Sequence, residues 1–268
     1  MQLSASHKLQ LGHVAAELIV RHHMPNPVLA QKVENLKDDI VQNLNDAHIF
    51  LEQVGPLLTE AKATFTNSKS RRAYYVPSES KRKFALRTDK QLQEIYNNFS
   101  AAGLYEAFLV TAVSQFESFL ADVLVAFLNQ NPMRITETFQ GIPACQTIAV
   151  RDLIAAPNKE VLIQKVLTDH VGGVFRQRPS LYMAYATKIL SIKNDPSFAT
   201  FYEVAATRDL VVHNNGIIND IYLHKAAQKA RGALGTKLPV NKEYYYGALV
   251  TLKRVAVVIN RDIAGNRG

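Results

Sequence analysis

The chain has 268 residues, of which 47% are hydrophobic and 20% are charged, and these values exclude a chain too short or too polar to build a core. Its formal net charge of +8 suits an anionic partner such as nucleic acid, although a basic surface without such a partner has the same composition. The single cysteine, Cys145, excludes an internal disulfide and fits a reducing compartment.

The N-terminal 24 residues do not have the pattern of a targeting segment, because charged and imidazole side chains interrupt any apolar core: His7, Lys8, His13, Glu17 and Arg21. The longest apolar stretch, residues 108–128, contains Gln115, Glu117 and Asp122, so it predicts a buried helix and not a membrane span. We therefore expect a cytoplasmic protein without a membrane partner.

A long helix is predicted near the N-terminus, because apolar residues recur there in alternating steps of three and four from Val33 to Phe65. The pair Gly55-Pro56 predicts a kink or a break, since proline cannot donate a hydrogen bond to the preceding turn. The pattern is short for a free-standing zipper, which favours an intramolecular helical hairpin over a dimeric coiled coil.

Residues 67–94 differ from their surroundings and predict a basic linker or exposed loop, without strands. Within residues 67–89 the only acids are Glu79 and Asp89, against seven cations: Lys69, Arg71, Arg72, Lys81, Arg82, Lys83 and Arg87. Tyr74, Tyr75 and Phe84 are interleaved with them, and such a mixture suits phosphates and unpaired bases. The alternative is a solvated loop whose tyrosines pack on the core.

The remainder, residues 95–264, predicts further helices. They fall near 104–129, 158–170, 180–192, 198–214 and 241–263, with a loop near 231–239 before the last one. Cys145 follows a turn and has no evident histidine partner, so it is expected to be a small apolar residue and not a nucleophile. His7, His13, His22 and His23 have no cysteine or ordered carboxylate to complete a ligand set, so neither a metal nor another cofactor is expected.

The chemically most informative segment is residues 208–216, which read RDLVVHNNG and lie at the end of a predicted helix. Arg208 offers a planar fork to phosphate oxygens, and His213 is of the type that moves a proton near neutral pH. Gly216 stands where a helix C-cap takes positive φ. Five residues on a helix correspond to about 140°, so Arg208 and His213 do not share a face. By itself the pair suits a structural role better than a catalytic one.

The segment from Phe201 to Gly216 resembles the arginine-x4-histidine helix of HEPN domains, with Asp209 at a position where that family usually has another polar residue. The helix from Val113 to Leu120 resembles the family's first helix, with Glu117 as its embedded acid. The resemblance spans about residues 95–264. The family's subgroup that pairs with nucleotidyltransferase antitoxins has a tyrosine where this chain has Asn215.

The resemblance implies an all-α helical bundle of HEPN type, here with an N-terminal long-helix extension in residues 1–66. It further implies a homodimer with the motif at the dimer cleft, and a possible antitoxin or regulatory protein as partner. Active members are metal-independent endoribonucleases of toxin and anti-phage systems. Arg208, His213, Asp209 and Glu117 would be catalytic, and the products would end in 2′,3′-cyclic phosphate. RNA would be bound by Asn214 and by the cations Arg71, Arg72, Lys81, Arg82 and Lys83. A non-catalytic RNA- or protein-binding adaptor is the alternative.

Overall fold

A computed structural model describes residues 27–67, 69–78, 83–145 and 147–265, and it confirms the all-α class. The elements follow in the order α1 (Pro27–Ala63), β1 (Arg71–Val76), β2 (Lys83–Thr88), α2 (Asp89–Asn98), α3 (Leu104–Gln130), α4 (Val150–Ala155), α5 (Lys159–Phe175), α6 (Pro179–Ile189), α7 (Ser197–Asn214), α8 (Asp220–Ala226) and α9 (Lys242–Gly265). A π-helical segment, Phe99–Gly103, joins α2 to α3, and short 3-10 segments cover Pro132–Thr136 and Ala227–Lys229.

Helix α1 confirms the predicted long N-terminal helix, and it runs through Pro56, so the alternative of a break is wrong. Val33, Ile40, Leu44 and Leu51 are buried within the chain. Burial of these residues inside a single chain agrees with intramolecular packing, in which tertiary contacts hold the helix across the hydrogen bond that proline cannot make.

The basic segment is not a loop, and the expectation that it contains no strands is wrong. Strands β1 and β2 form an antiparallel pair in which Arg71 lies opposite Thr88 and Val76 opposite Lys83. The pair ends directly at α2, where Thr88 and Gln91 form a capping box at the helix N-terminus. The buried Asp89, which follows β2, holds the segment that precedes β1. It accepts hydrogen bonds from the Asn67 backbone at 2.9 Å and the Ser70 hydroxyl at 2.5 Å.

Helix α3 is long and apolar enough to cross a membrane by length and composition alone. Part of this helix is buried in the chain, and Leu109, Val113, Leu120 and Leu124 have no exposed surface. This is the expected property of a core helix in a soluble protein, which makes the composition weak evidence for a membrane span.

The chain divides into two compact units, and the division does not follow chain order. The first unit combines the residues up to Ile40 with Phe116–Phe198 and the residues from Arg254 on. The second combines Val41–Gln115 with Ala199–Lys253. Each unit takes residues from the predicted N-terminal region and from the predicted HEPN-like domain, whose boundaries stay a prediction. The motif, the β hairpin and the loop near residue 235 all belong to the second unit.

Candidate functional site

Helix α7 ends as the sequence predicts, with His213 in its last turn and a reversal of the chain just after it. Asn215 and Gly216 have φ of 49° and 72°, and the Gly216 N–H donates to the Leu210 carbonyl at 3.0 Å. The positive φ favours glycine at 216, and a Cβ there would lie 2.9 Å from the Lys237 ammonium, which would have to shift. The helix dipole places partial negative charge around His213.

The turn after α7 is held by backbone pairing to the loop near residue 235. Leu238 donates to the Gly216 carbonyl at 2.8 Å, Ile218 donates to the Thr236 carbonyl at 2.9 Å, and Gly235 donates back to Ile218 at 2.9 Å. These bonds fix the exit of α7 and therefore the direction of its last turn.

A cleft of about 400 Å³ opens between the end of α7 and helix α8. Its polar lining includes Asp209, His213, Asn214, Asn219 and Lys225, and its apolar lining includes Ile221 and Tyr222. His213 is exposed at this cleft. Arg208 is not among the described residues that line it, which agrees with the 140° that separates Arg208 and His213 on a helix.

Asp209 is the electrostatic centre of the cleft because it contacts two cations. Its carboxylate lies 2.8 Å from the Lys225 ammonium and 3.4 Å from the Arg208 Nε. The three side chains are 19% to 26% exposed, so water screens these contacts only in part. The Lys225 ammonium lines the cleft together with His213, and a cation in this position suits a phosphate group.

Lys225 is a cleft residue that the sequence did not reveal. It lies sixteen positions after Asp209 on a separate short helix, and its hydrogen bond to Asp209 depends on how α8 packs against α7. Asn214, a predicted RNA-binding residue, lines the same cleft, and its side-chain amide donates to the Ile217 carbonyl at 2.6 Å. Part of its hydrogen-bonding capacity therefore stabilises the turn.

The remaining predicted site residues lie elsewhere. Glu117 belongs to the first unit, where the Tyr182 hydroxyl donates to its carboxylate at 2.9 Å, and its predicted approach to Arg208 stays a prediction. Arg71, Arg72 and Lys83 are exposed on the β hairpin. Lys81 and Arg82 lie outside the described residues.

A buried polar network around Glu203, which precedes the motif on helix α7, was also not predicted from the sequence. Glu203 is 4% exposed, and its Oε1 accepts hydrogen bonds from Thr207 at 2.7 Å, Tyr222 at 2.9 Å and the Arg231 Nε at 2.9 Å. Its Oε2 accepts from Tyr244 at 2.9 Å. The only sequence signal for this network is an acid inside the apolar run from Phe201 to Ala206.

The network also orders the loop after α8. The Arg231 guanidinium lies 3.5 Å from the centre of the Tyr244 ring, and it donates to the Pro239 carbonyl at 3.2 Å. Burial, reinforced by the Glu203 charge, raises the pKa of Tyr244. Burial is also the main reason that the pKa of Tyr222 is raised. Both phenols therefore stay neutral donors to the carboxylate at ordinary pH.

Cys145 has a histidine neighbour that the sequence did not suggest. Cys145, Lys165 and His170 line a cleft of about 130 Å³ in the first unit. The His170 Nε2 lies 3.0 Å from the Tyr185 hydroxyl, and burial lowers the pKa of His170. Among the residues that the structure describes, three or more histidine, cysteine or acidic side chains nowhere form a group able to hold a metal ion. His7, His13, His22 and His23 fall outside those residues.

No protein-family model matches the chain, and comparison with curated proteins and with solved structures finds no similar protein. The fold and the site thus define an all-α protein with a cleft at the C-terminal end of α7 that is lined by both polar and apolar side chains. The likeness of this helix to the HEPN motif remains a hypothesis based on its residues.

Proposed function

We propose that the protein is a metal-independent endoribonuclease of HEPN type, acting in the cytoplasm in anti-phage defence or in a toxin system. The observation that supports this proposal best is the exposure of His213 in a cleft where Asp209 holds Arg208 and Lys225 nearby. A proton-transfer group beside fixed positive charge is what metal-free phosphodiester cleavage requires.

In the proposed reaction the ribose 2′-hydroxyl attacks the adjacent phosphorus. A new 2′-O–P bond forms and the P–O5′ bond breaks, which gives a 2′,3′-cyclic phosphate and a 5′-hydroxyl. His213 moves a proton at the 2′-hydroxyl or at the leaving oxygen, and Arg208 stabilises the charge that develops on the phosphorane. Asp209 orients the cations. Lys225 joins this set as a second phosphate-binding group because it lines the cleft.

A homodimer is part of the proposal, since Arg208 and His213 do not share one helix face. Two motifs that meet across a two-fold axis bring the arginine of one copy near the histidine of the other. Light scattering at micromolar concentration tests the dimer, and an antitoxin or regulatory protein is a further expected partner. The genomic neighbourhood would identify that protein.

The decisive experiment measures RNA cleavage by the purified chain in EDTA. We expect cleavage to persist in EDTA and to fall at least about 100-fold in His213→Ala, because a positioned proton-transfer group contributes that much or more. His224→Ala is the matched control, since His224 is an exposed histidine on the neighbouring helix α8. Arg208→Lys keeps the positive charge but loses the planar fork, so it should also cleave more slowly.

A strict requirement for magnesium or manganese would contradict the mechanism. Equal cleavage by the His213 and His224 variants would contradict the role of His213. The second candidate function, a non-catalytic adaptor for RNA or protein, is favoured by the largely buried Arg208, which pairs with Asp209 as a structural residue would. RNA binding without any cleavage, together with a monomeric mass, would select the adaptor.

A further inference from the structure

The β hairpin sorts its side chains onto two faces of different character. Directly opposed residues of an antiparallel pair share a face, and successive residues alternate between faces. Tyr75 is paired with Phe84, and Ala73 with Leu86, so these four form one face, which we call the aromatic face. Arg72 is paired with Arg87 and Val76 with Lys83 on the opposite face.

The aromatic face is open to solvent. Tyr75 is 62% exposed, Phe84 58% and Leu86 57%. The rings of Tyr75 and Phe84 lie 6.1 Å apart and are tilted by 77°, so they meet edge to face and do not cover one another. A two-stranded sheet gains little stability by itself, and three large apolar side chains in water add none.

The opposite face anchors the hairpin to the rest of its unit. The Arg72 guanidinium lies 5.0 Å from the centre of the Phe65 ring, and its Nε donates to the buried Asp89 at 3.2 Å. Substitutions of Tyr75 and Phe84 therefore leave this anchor intact.

We propose that the aromatic face of the hairpin is a stacking platform for unpaired bases of RNA, an inference that rests on the proposed action on RNA. Bases in single strands expose the π-faces that stack on aromatic side chains, whereas bases in a duplex are already stacked on each other. Arg71 extends the same face about 13 Å from Tyr75, four residues along the strand, where it can meet a neighbouring phosphate.

Charge selects nucleic acid over a second copy of this chain as the occupant. The two strands, RRAYYV and KFALRT, contain four cations and no acidic residue. Arg71 lies on the aromatic face and the other three cations lie on the opposite face. A second hairpin would offer these cations no strand carboxylate, whereas a polyanion neutralises them and releases counterions.

The experiment measures binding of a short fluorescein-labelled single-stranded 2′-O-methyl RNA, which the proposed mechanism cannot cleave, to the full chain at several salt concentrations. Tyr75→Ala/Phe84→Ala should weaken binding about tenfold or more without changing the salt slope, because stacking is lost and no charge is removed. The variant Tyr75→Trp/Phe84→Trp keeps two aromatic rings on this face and should bind RNA as tightly as the wild type. Leu86→Ala is the matched control, since it removes an exposed apolar side chain from the same face and should change affinity less than about twofold.

The basic residues supply a contrasting result. Changing Arg71, Lys81, Arg82 and Lys83 to glutamine, while Arg72 keeps its contact with Asp89, should flatten the salt slope, because phosphate contacts are lost. Unchanged affinity in the double alanine variant would overturn the platform. So would equal losses in Leu86→Ala, or a concentration-dependent dimer that disappears in the double alanine variant while RNA binding stays the same.

The proposed cleavage fails or succeeds separately from the platform. Tight binding of the uncleavable RNA that depends on Tyr75 and Phe84, with no cleavage of ordinary RNA, would keep the platform and reject the nuclease. Cleavage that depends on His213, with binding unaffected by the aromatic substitutions, would do the reverse.

Discussion

Helix α7 carries two polar regions of opposite character within three turns. Around Glu203 a buried carboxylate is surrounded by donors from Thr207, Tyr222, Arg231 and Tyr244. Around Asp209 the carboxylate is partly open, and it lines a cleft together with its partner Lys225. A buried polar group whose partners all come from the chain stabilises the fold, whereas a half-open group with cations beside it retains capacity for a ligand. The difference indicates a structural role for the first region and is the basis for proposing a chemical role for the second.

The largest effect that separates the two regions is expected for Glu203→Gln. The substitution leaves the Arg231 guanidinium without its charged partner and places an amide among donors, which should lower the free energy of unfolding by about 3 kcal/mol. Urea denaturation followed by far-UV circular dichroism measures this change. Glu243→Gln, at an exposed glutamate of α9, is the control and should change it by less than about 0.5 kcal/mol. If Glu203→Gln lowered the free energy of unfolding by less than about 1 kcal/mol, the network around Glu203 would not have the proposed structural role.

Lys225→Gln should produce a smaller effect of a different kind. Removing this cation takes one phosphate contact from the cleft and leaves Asp209 with less compensation, so RNA affinity should fall about tenfold and the salt slope by about one unit. Stability should change by no more than about 1 kcal/mol, because the ion pair is partly exposed. Lys229→Gln changes an exposed lysine just beyond α8 and serves as the control. Equal affinities of the two variants in a titration with RNA would show that the cleft does not bind phosphate.

The smallest effect concerns pH. Because burial raises the pKa of Tyr244, the folded chain keeps this phenol neutral above the ordinary value of about 10. The associated stability is present below that value and declines as pH rises through the folded pKa. At about pH 11 the wild type and Tyr244→Phe should therefore have the same phenolate absorbance while both remain folded. Lower absorbance in the variant would mean that Tyr244 ionises at its ordinary pKa and that water reaches the hydrogen-bond network around Glu203.

Helices were predictable from this sequence where one apolar face repeats over many residues. Residues 104–129 predicted α3, which spans 104–130, and the end of α7 followed from Gly216. The β hairpin was not predictable because neither of its faces is buried in a core, so its strands lack alternation between apolar and polar residues. Cations and aromatics mixed in this way, next to Pro77, are typical of a loop.

Only the site residues that lie on helix α7 itself were predictable from the sequence. Asp209 and His213 lie four residues apart, and periodicity places them on one side of α7. Lys225 and the partners of Glu203 come from elements whose positions depend on tertiary packing. The same holds for Cys145 and His170, which are separated by 25 positions and line one cleft in the folded chain. Spacing along the chain has no information on such pairs.

The backbone pairing between Gly216–Ile218 and Gly235–Leu238 has a consequence for ligand affinity. Because the turn after α7 is already pinned to a second segment, the chain loses the conformational freedom of this turn when it folds and not when a ligand arrives. The backbone that positions the His213 imidazole is therefore already ordered before a ligand binds. Glycine at 216 allows this turn without backbone strain, because its φ is +72°, and a side chain there would also displace the Lys237 ammonium that donates to the Asn215 carbonyl.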